Sequence, residues 1–312
     1  IFGVHPVMVE TVAWASQQTA LWSWFFSFLA LIVAFSENHF FNKDWRRIAV
    51  IMILSFAAVF SKEQAIILPL VFILCLLGFR LNLKKQTGKI MAISLPAIIY
   101  LICRWLVLGS FAQINVQDLW DLGRYGMFLT MLHGLAYYFR LLIWPYPLAV
   151  NYDSFPLASS FFTLPVIIST IFLLAVITLA IKFWRKLTFF SLGIFWIFIV
   201  FLPVSNFILP TKQIINERYL YFALPGFILA VAAIISRLLQ KYPNDKKFLA
   251  PILITIITAS FLIFGALTFA RLGDWKNEFT LWRHEISINP EDWRTQMNFA
   301  YALEREDKSR EA

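Results

Sequence analysis

Charge is what this sequence has least of. Asp, Glu, Lys and Arg make up 14% of its 312 residues, while 60% are apolar and 18% aromatic. An ordinary soluble domain carries roughly 25% charged residues, so water is not the main solvent for this chain. Cysteine is nearly missing too. Cys75 and Cys103 each fall inside an apolar run, which excludes a disulfide framework or a cysteine metal spacing and leaves both as small hydrophobes. The formal net charge of +9 does not come from a basic patch. Its Lys and Arg residues lie scattered in short segments between apolar runs, a pattern of membrane topology rather than of nucleic-acid binding. The chain opens on Ile1 in a loop-like stretch and stops at Glu311 and Ala312 in mid-pattern, so a fragment of a longer protein is expected.

What is abundant is long apolar runs. They lie near 21–36, 48–60, 65–79, 90–108, 161–181, 187–204, 219–235 and 248–270, and predict an all-α, polytopic helix bundle with about eight spanning helices. A ninth run, 125–150, is interrupted by His133, Arg140, Pro145 and Pro147 and predicts an interfacial or re-entrant helix. Orientation follows from the basic residues. Four connections on one side hold Lys43, Arg46 and Arg47; Arg80, Lys84, Lys85 and Lys89; Lys182, Arg185 and Lys186; and Arg237, Lys241, Lys246 and Lys247. The opposite side is poor in them, but only if the 125–150 run does not span.

From Gly273 onward the pattern turns amphipathic. Trp275, Phe279, Trp282 and Ile286 recur at helical spacing, Asn289-Pro290 breaks the helix, and Trp293, Met297, Ala300, Tyr301 and Leu303 form a second stripe. Glu304 to Ala312 is expected to turn into a third helix. Two domains follow, 1–272 in the membrane and 273–312 opening a soluble helical repeat, whose apolar face needs neighbouring repeats or a protein partner.

Ionisable residues gather where apolar runs end on the sparsely basic side. Pro6 suits a first helical turn, which places His5 near the cap and Glu10 about one turn in, facing the membrane surface. The pair reads as a divalent-cation site, as a base beside an attacking hydroxyl, or as a simple cap with a surface Glu. Lys62-Glu63 at a tight turn reads as a phosphate contact or a hydrated turn. Arg104 sits deep enough in its run to call for a partner or substrate, unless it snorkels to the interface. Glu217-Arg218 enters a span beside Tyr219 and Tyr221, after a loop carrying Lys212, and suits a pyrophosphate headgroup or an internal ion pair. Tyr137 to Asp153 is aromatic and amphipathic, fit for anchoring or for lining an acceptor groove. Trp22 and Trp24 read as interfacial belt residues.

The order of these motifs is more specific than any one of them. His5-Pro6-Val7-Met8-Val9-Glu10-Thr11-Val12-Ala13-Trp14 comes first, followed by Ser61-Lys62-Glu63 with Leu68-Pro69. Trp144-Pro145-Tyr146-Pro147-Leu148 with Asn151-Tyr152-Asp153 comes next, then Leu202-Pro203-Val204-Ser205-Asn206 and Glu217-Arg218-Tyr219-Leu220-Tyr221. Together they resemble the transmembrane and tetratricopeptide-repeat protein O-mannosyltransferases and their bacterial relatives, over nearly the whole chain. The resemblance implies an inverting glycosyltransferase of the GT-C class that moves a sugar from a polyprenyl-phosphate donor to a polypeptide or glycan hydroxyl on the extracytoplasmic face. It implies Glu10 and His5 as catalytic groups or ligands of a divalent cation, with the main base on a loop ahead of Ile1. It implies Lys62, Glu63, Arg104, Lys212, Glu217 and Arg218 as donor-phosphate contacts. A bacterial cytoplasmic membrane is the expected location, with the endoplasmic reticulum as the alternative. One departure stands out: Ser16-Gln17-Gln18-Thr19 follows where relatives carry a basic and an acidic residue. A non-catalytic scaffold displaying repeats, or a transporter, are the competing readings.

Overall fold

The computed structural model describes residues 2–36, 44–109, 123–207, 211, 213–242 and 246–311, and among these no strand occurs. Two residues of those expectations, Lys43 and Lys212, fall outside the described residues. The bundle is α1 (Val9–Ala13), α2 (Gln18–Phe35), α3 (Asp44–Ser61), α4 (Leu68–Gly78), α5 (Thr87–Leu108), α6 (Gly123–Ile143), α7 (Leu164–Phe183), α8 (Thr188–Phe201), α9 (Leu220–Lys241) and α10 (Lys246–Asp274). A hairpin of α11 (Glu278–Ile288) and α12 (Trp293–Glu311) follows it.

Among the described residues six helical stretches are long and apolar enough to cross a membrane: Ala15–Phe35, Leu83–Leu108, Gly123–Ile143, Leu164–Phe183, Glu217–Lys241 and Lys247–Asp274. All eight expected runs are helical, but three fall short. The α3 helix begins with Asp44, Arg46 and Arg47, and α4 and α8 have only 11 and 14 residues, which at 1.5 Å per residue is well under the ~30 Å hydrocarbon core. The outward faces are apolar, as lipid requires: Val107, Phe162 and Phe269 are each at least 80% exposed.

The α6 helix differs from expectation. It is continuous over 21 residues, so His133 and Arg140 do not interrupt it, the break waits for Trp144, and its length and composition are those of a helix able to cross a membrane. Along it Met131 meets Asn206, Gly134 lies beneath Ile215, the Tyr138 hydroxyl accepts from the Asn216 backbone, and Leu142 meets His5.

Close approach of α8 and α9 is built on absent side chains. A Cβ on Gly193 would lie 2.2 Å from the Gly226 carbonyl oxygen, and one on Gly226 would lie 2.7 Å from the Gly193 carbonyl. Small residues let membrane helices pack backbone to backbone in this way. Trp196 donates its indole N–H to the Phe222 carbonyl across the same contact at 2.9 Å. Trp24 packs there as well, 4.0 Å from the Phe222 ring and 4% exposed, so it is a core residue and not a belt one; Trp22 is exposed.

The two ends of the bundle are chemically distinct. At one end Lys89 donates to the Ala34 carbonyl in the last turn of α2, and Phe79 meets Phe35 and Phe189, which draws together the basic connections after α2, α4 and α7. The other end collects the carboxylates described below.

The terminal hairpin corrects one expectation. The α10 helix runs to Asp274. The α12 helix continues through Glu304 to Glu311 without a turn, because that stretch contains no Gly or Pro and is rich in strong helix formers. Asn277 and Thr280 form a reciprocal capping box at the start of α11.

Candidate active site

Pro6 occupies the first position of a 3-10 turn and His5 is its N-cap, with extended φ/ψ of −79°/125°. The next turn passes into α1, which places Glu10 in its first turn. The surface position expected for Glu10 is not observed. Glu10 is 1% exposed and His5 0%, and a buried carboxylate must find donors.

Arg218, 208 residues away, supplies them. Its backbone N–H donates to Glu10 Oε2 and its guanidinium to Oε1, both at 3.0 Å. The guanidinium also donates to Gln213 Oε1 at 2.5 Å and lies 5.5 Å from the Trp14 ring and 5.7 Å from the Tyr219 ring. An arginine held by a carboxylate on one edge and by aromatic faces keeps its remaining N–H groups aimed at a ligand. Burial pushes the Glu10 carboxyl above its ordinary range, against the pull of Arg218.

Glu217 and Arg218 do not pair with each other. In the 3-10 turn Glu217–Tyr219, neighbouring side chains point in different directions. Glu217, fully buried, accepts from the Tyr152 hydroxyl at 2.8 Å and lies 3.7 Å from Arg271, which also reaches Asp274 at 3.5 Å. Glu217 is therefore an internal group whose oxygens face Tyr152 and Arg271.

Lys62 donates to Gln17 Oε1 at 2.6 Å. Burial, followed by the positive charge of Arg218, lowers its ammonium below the ordinary lysine range. Gln17 thus places a neutral acceptor beside Lys62. Glu63 is exposed at the start of the following 3-10 turn. Arg104 lies half-buried on α5 and donates to Tyr100, one turn back on its own helix, at 3.1 Å. The structure thus joins Glu10, Arg218 and Lys62, sets Glu217 behind them, and keeps Arg104 apart.

Among the described residues no cluster of three His, Cys, Asp or Glu forms a metal site. The His5–Glu10 pair does not make a cation cradle either: Arg218 takes both carboxylate oxygens, and His5 Nε2 faces the Leu142 carbonyl at 3.1 Å. The two side chains therefore do not fit the divalent cation expected of them.

Arg218 opens on a groove of about 770 Å³. Trp14, Asn151, Gln213 and Arg218 form one wall, and Trp275, Trp282, Tyr301 and Arg305 of the terminal segment form the other. Glu285 fastens that second wall. It is fully buried and accepts from the Val150 and Asn151 backbone N–H groups at 2.7 and 3.2 Å. Asn151 donates to Asp292, Ser154 donates to Asn289, and Arg294 pairs with Asp153 at 2.6 Å. Between these clamped residues Tyr152 turns inward to Glu217. Arg271 and Glu285 were not singled out in the sequence. A lone Arg closing the long apolar run of α10 was a legible signal, whereas Glu285 read as one more polar residue on an amphipathic helix.

Fold and site together define an all-α, multi-pass membrane protein with two buried, long-range ion pairs, Glu10–Arg218 and Glu217–Arg271, at one end of its bundle. Comparison with curated proteins makes the class more particular. The chain is 24% identical over 97% of its length to a Caenorhabditis elegans protein named as a protein O-mannosyl-transferase, covering 42% of that protein. It is 38% identical over 93 residues to human protein O-mannosyl-transferase TMTC2 and 30% identical over 106 residues to human TMTC3, covering 30% and 34% of this chain and 11% of each relative. The chain therefore spans less than half the length of these relatives. No family model and no solved structure matches it.

Proposed function

We propose that this chain is part of a membrane glycosyltransferase that moves a sugar, mannose by analogy with the names of its relatives, from a polyprenyl-phosphate donor to a hydroxyl of a polypeptide on the extracytoplasmic face. The observation that carries this reading is Arg218, braced by Glu10 and Trp14 at the mouth of the groove. In an inverting transfer the acceptor oxygen attacks the anomeric carbon, the bond from that carbon to the phosphate oxygen breaks, and the hydroxyl proton passes to a general base. Charge accumulates on the departing phosphate. A fixed guanidinium, with the Lys62 ammonium near it, is the donor set such a leaving group needs. Glu10 acts through Arg218 as a positioning residue, since one of its oxygens accepts from that guanidinium and the other from the same residue's backbone N–H. The opposite wall of Trp275, Trp282 and Tyr301 offers flat apolar faces to a polypeptide acceptor.

The test is transfer of labelled sugar from polyprenyl-phosphate donors by membranes carrying the full-length protein. Arg218→Gln is expected to lower turnover about 100-fold or more, the usual scale for removing a charged transition-state donor, with Glu10→Gln intermediate. Wild-type turnover in Arg218→Gln would overturn the assignment. No transfer by the wild type from any of several donors would favour a repeat-bearing scaffold.

A further inference from the structure

The end of the bundle away from Arg218 carries a second hollow, of about 650 Å³, between α4, α7 and α8. Its floor is apolar: Leu74, Ile181, Trp184 and Phe195, with the Trp184 and Phe195 rings packed edge-on at 5.6 Å. Its rim is cationic, formed by Lys182, Arg185 and Lys186. A tight turn sets that rim. The backbone N–H groups of Trp184, Lys186 and Leu187 bond back to Ile181 and Phe183 at 3.2, 3.0 and 2.8 Å, which places three cations within five residues. Among the described residues no carboxylate forms an ion pair with any of the three. The position matters as much as the charge. Lys182 is in the last turn of α7, one of the six helices able to cross a membrane, so this hollow opens where hydrocarbon gives way to headgroups.

We propose that this hollow is a binding site for an anionic phospholipid, with its phosphate between Lys182, Arg185 and Lys186 and an acyl chain along Ile181, Trp184 and Phe195. Unpaired cations above an apolar, aromatic floor at a helix end suit a lipid better than a soluble anion, which would use the rim and leave the floor wet. Basic hollows between membrane helices recognise anionic headgroups by this combination. The site is independent of the proposed transferase reaction.

Full-length protein reconstituted in phosphatidylcholine with a minor fraction of acyl-brominated phosphatidylglycerol tests it, against the same fraction of brominated phosphatidylcholine. Quenching of Trp184 is read as the difference between wild type and Trp184→Phe. The anionic lipid should quench at least about threefold more than the zwitterionic one, because basic residues at the membrane surface attract anionic headgroups. The excess should fall as salt rises, vanish in Lys182→Gln/Arg185→Gln/Lys186→Gln, and persist in Arg80→Gln/Lys84→Gln/Lys85→Gln, which removes equal charge from the same end. Inorganic phosphate should leave it unchanged. Equal quenching by the two lipids, equal loss in both triple variants, or displacement by inorganic phosphate would overturn the proposal. Should the first variant fail to insert, the lipid comparison and salt titration on the wild type decide alone.

Discussion

The two ends of the bundle hold their charged side chains in opposite ways. At the basic end Lys84 and Lys85 are exposed, and Lys89 donates to a helix-end carbonyl. At the other end Glu10, Glu217 and Glu285 are each at most 1% exposed, with partners 208, 54 and 135 positions away in sequence. Solvated charges obey composition rules and tolerate exchange. Buried ones are solved individually, each by a named donor, and that is the end where chemistry is expected.

The sharpest way to break this contrast is to orphan a buried charge. Glu217→Ala takes from the buried Arg271 guanidinium one of its two carboxylates, leaving only Asp274, and removing one member of a buried pair costs up to about 3–5 kcal/mol. The expected result is a large drop in thermal midpoint, with Arg271→Met/Glu217→Gln recovering much of it, whereas Lys85→Ala at the basic end should stay within about 0.5 kcal/mol. A midpoint unchanged in Glu217→Ala would mean that the Glu217–Arg271 pair is not buried as described.

His5 sharpens the contrast through pH. Burial lowers its imidazole to about 4 from an ordinary 6.5. The neutral tautomer donates from Nε2 to Leu142, and Nδ1, buried without a partner, has no acceptor for a second proton. The unfolded chain takes up a proton below pH 6.5 and the folded chain resists until about 4. The stability that neutral His5 supplies is therefore complete above 6.5 and declines through that window, by about 3 kcal/mol in all. Glu10, raised by burial, titrates with the opposite sign, so the quantity to measure is the pH slope of the wild type minus that of His5→Gln. A zero difference between pH 6.5 and 4 would place His5 in water.

Much of the architecture was legible in the sequence because lipid leaves few options: apolar runs become helices, and Lys and Arg mark one end. His5 as a cap and Glu10 one turn on followed from Pro6 alone. Their burial did not, because it depends on α6 and α9, more than a hundred residues away. Adjacent Glu217 and Arg218 suggested a pair, and only three-dimensional packing shows that each has a distant partner. The length of α12 was misjudged for a different reason: its charged tail, Glu304-Arg305-Glu306-Asp307, resembles a loop in hydropathy while being strongly helical in propensity.

Glu285 is the subtlest of the buried acids, because its donors are backbone groups that no pattern announces. Its carboxylate closes the 149–154 segment onto α11, and Tyr152 in that segment carries the contact on to Glu217. Glu285→Ala exposes or orphans two backbone N–H groups, which predicts about 2 kcal/mol of destabilisation. Unlike the loss at Glu217, it should be concentrated locally, as faster amide exchange at Val150 and Asn151 with the spans still protected. Glu285→Gln keeps one acceptor oxygen and should recover part of the protection. If the hairpin were a passive appendage, amide exchange at Val150 and Asn151 would not respond to either substitution, and the second wall of the groove would have no fixed relation to Arg218.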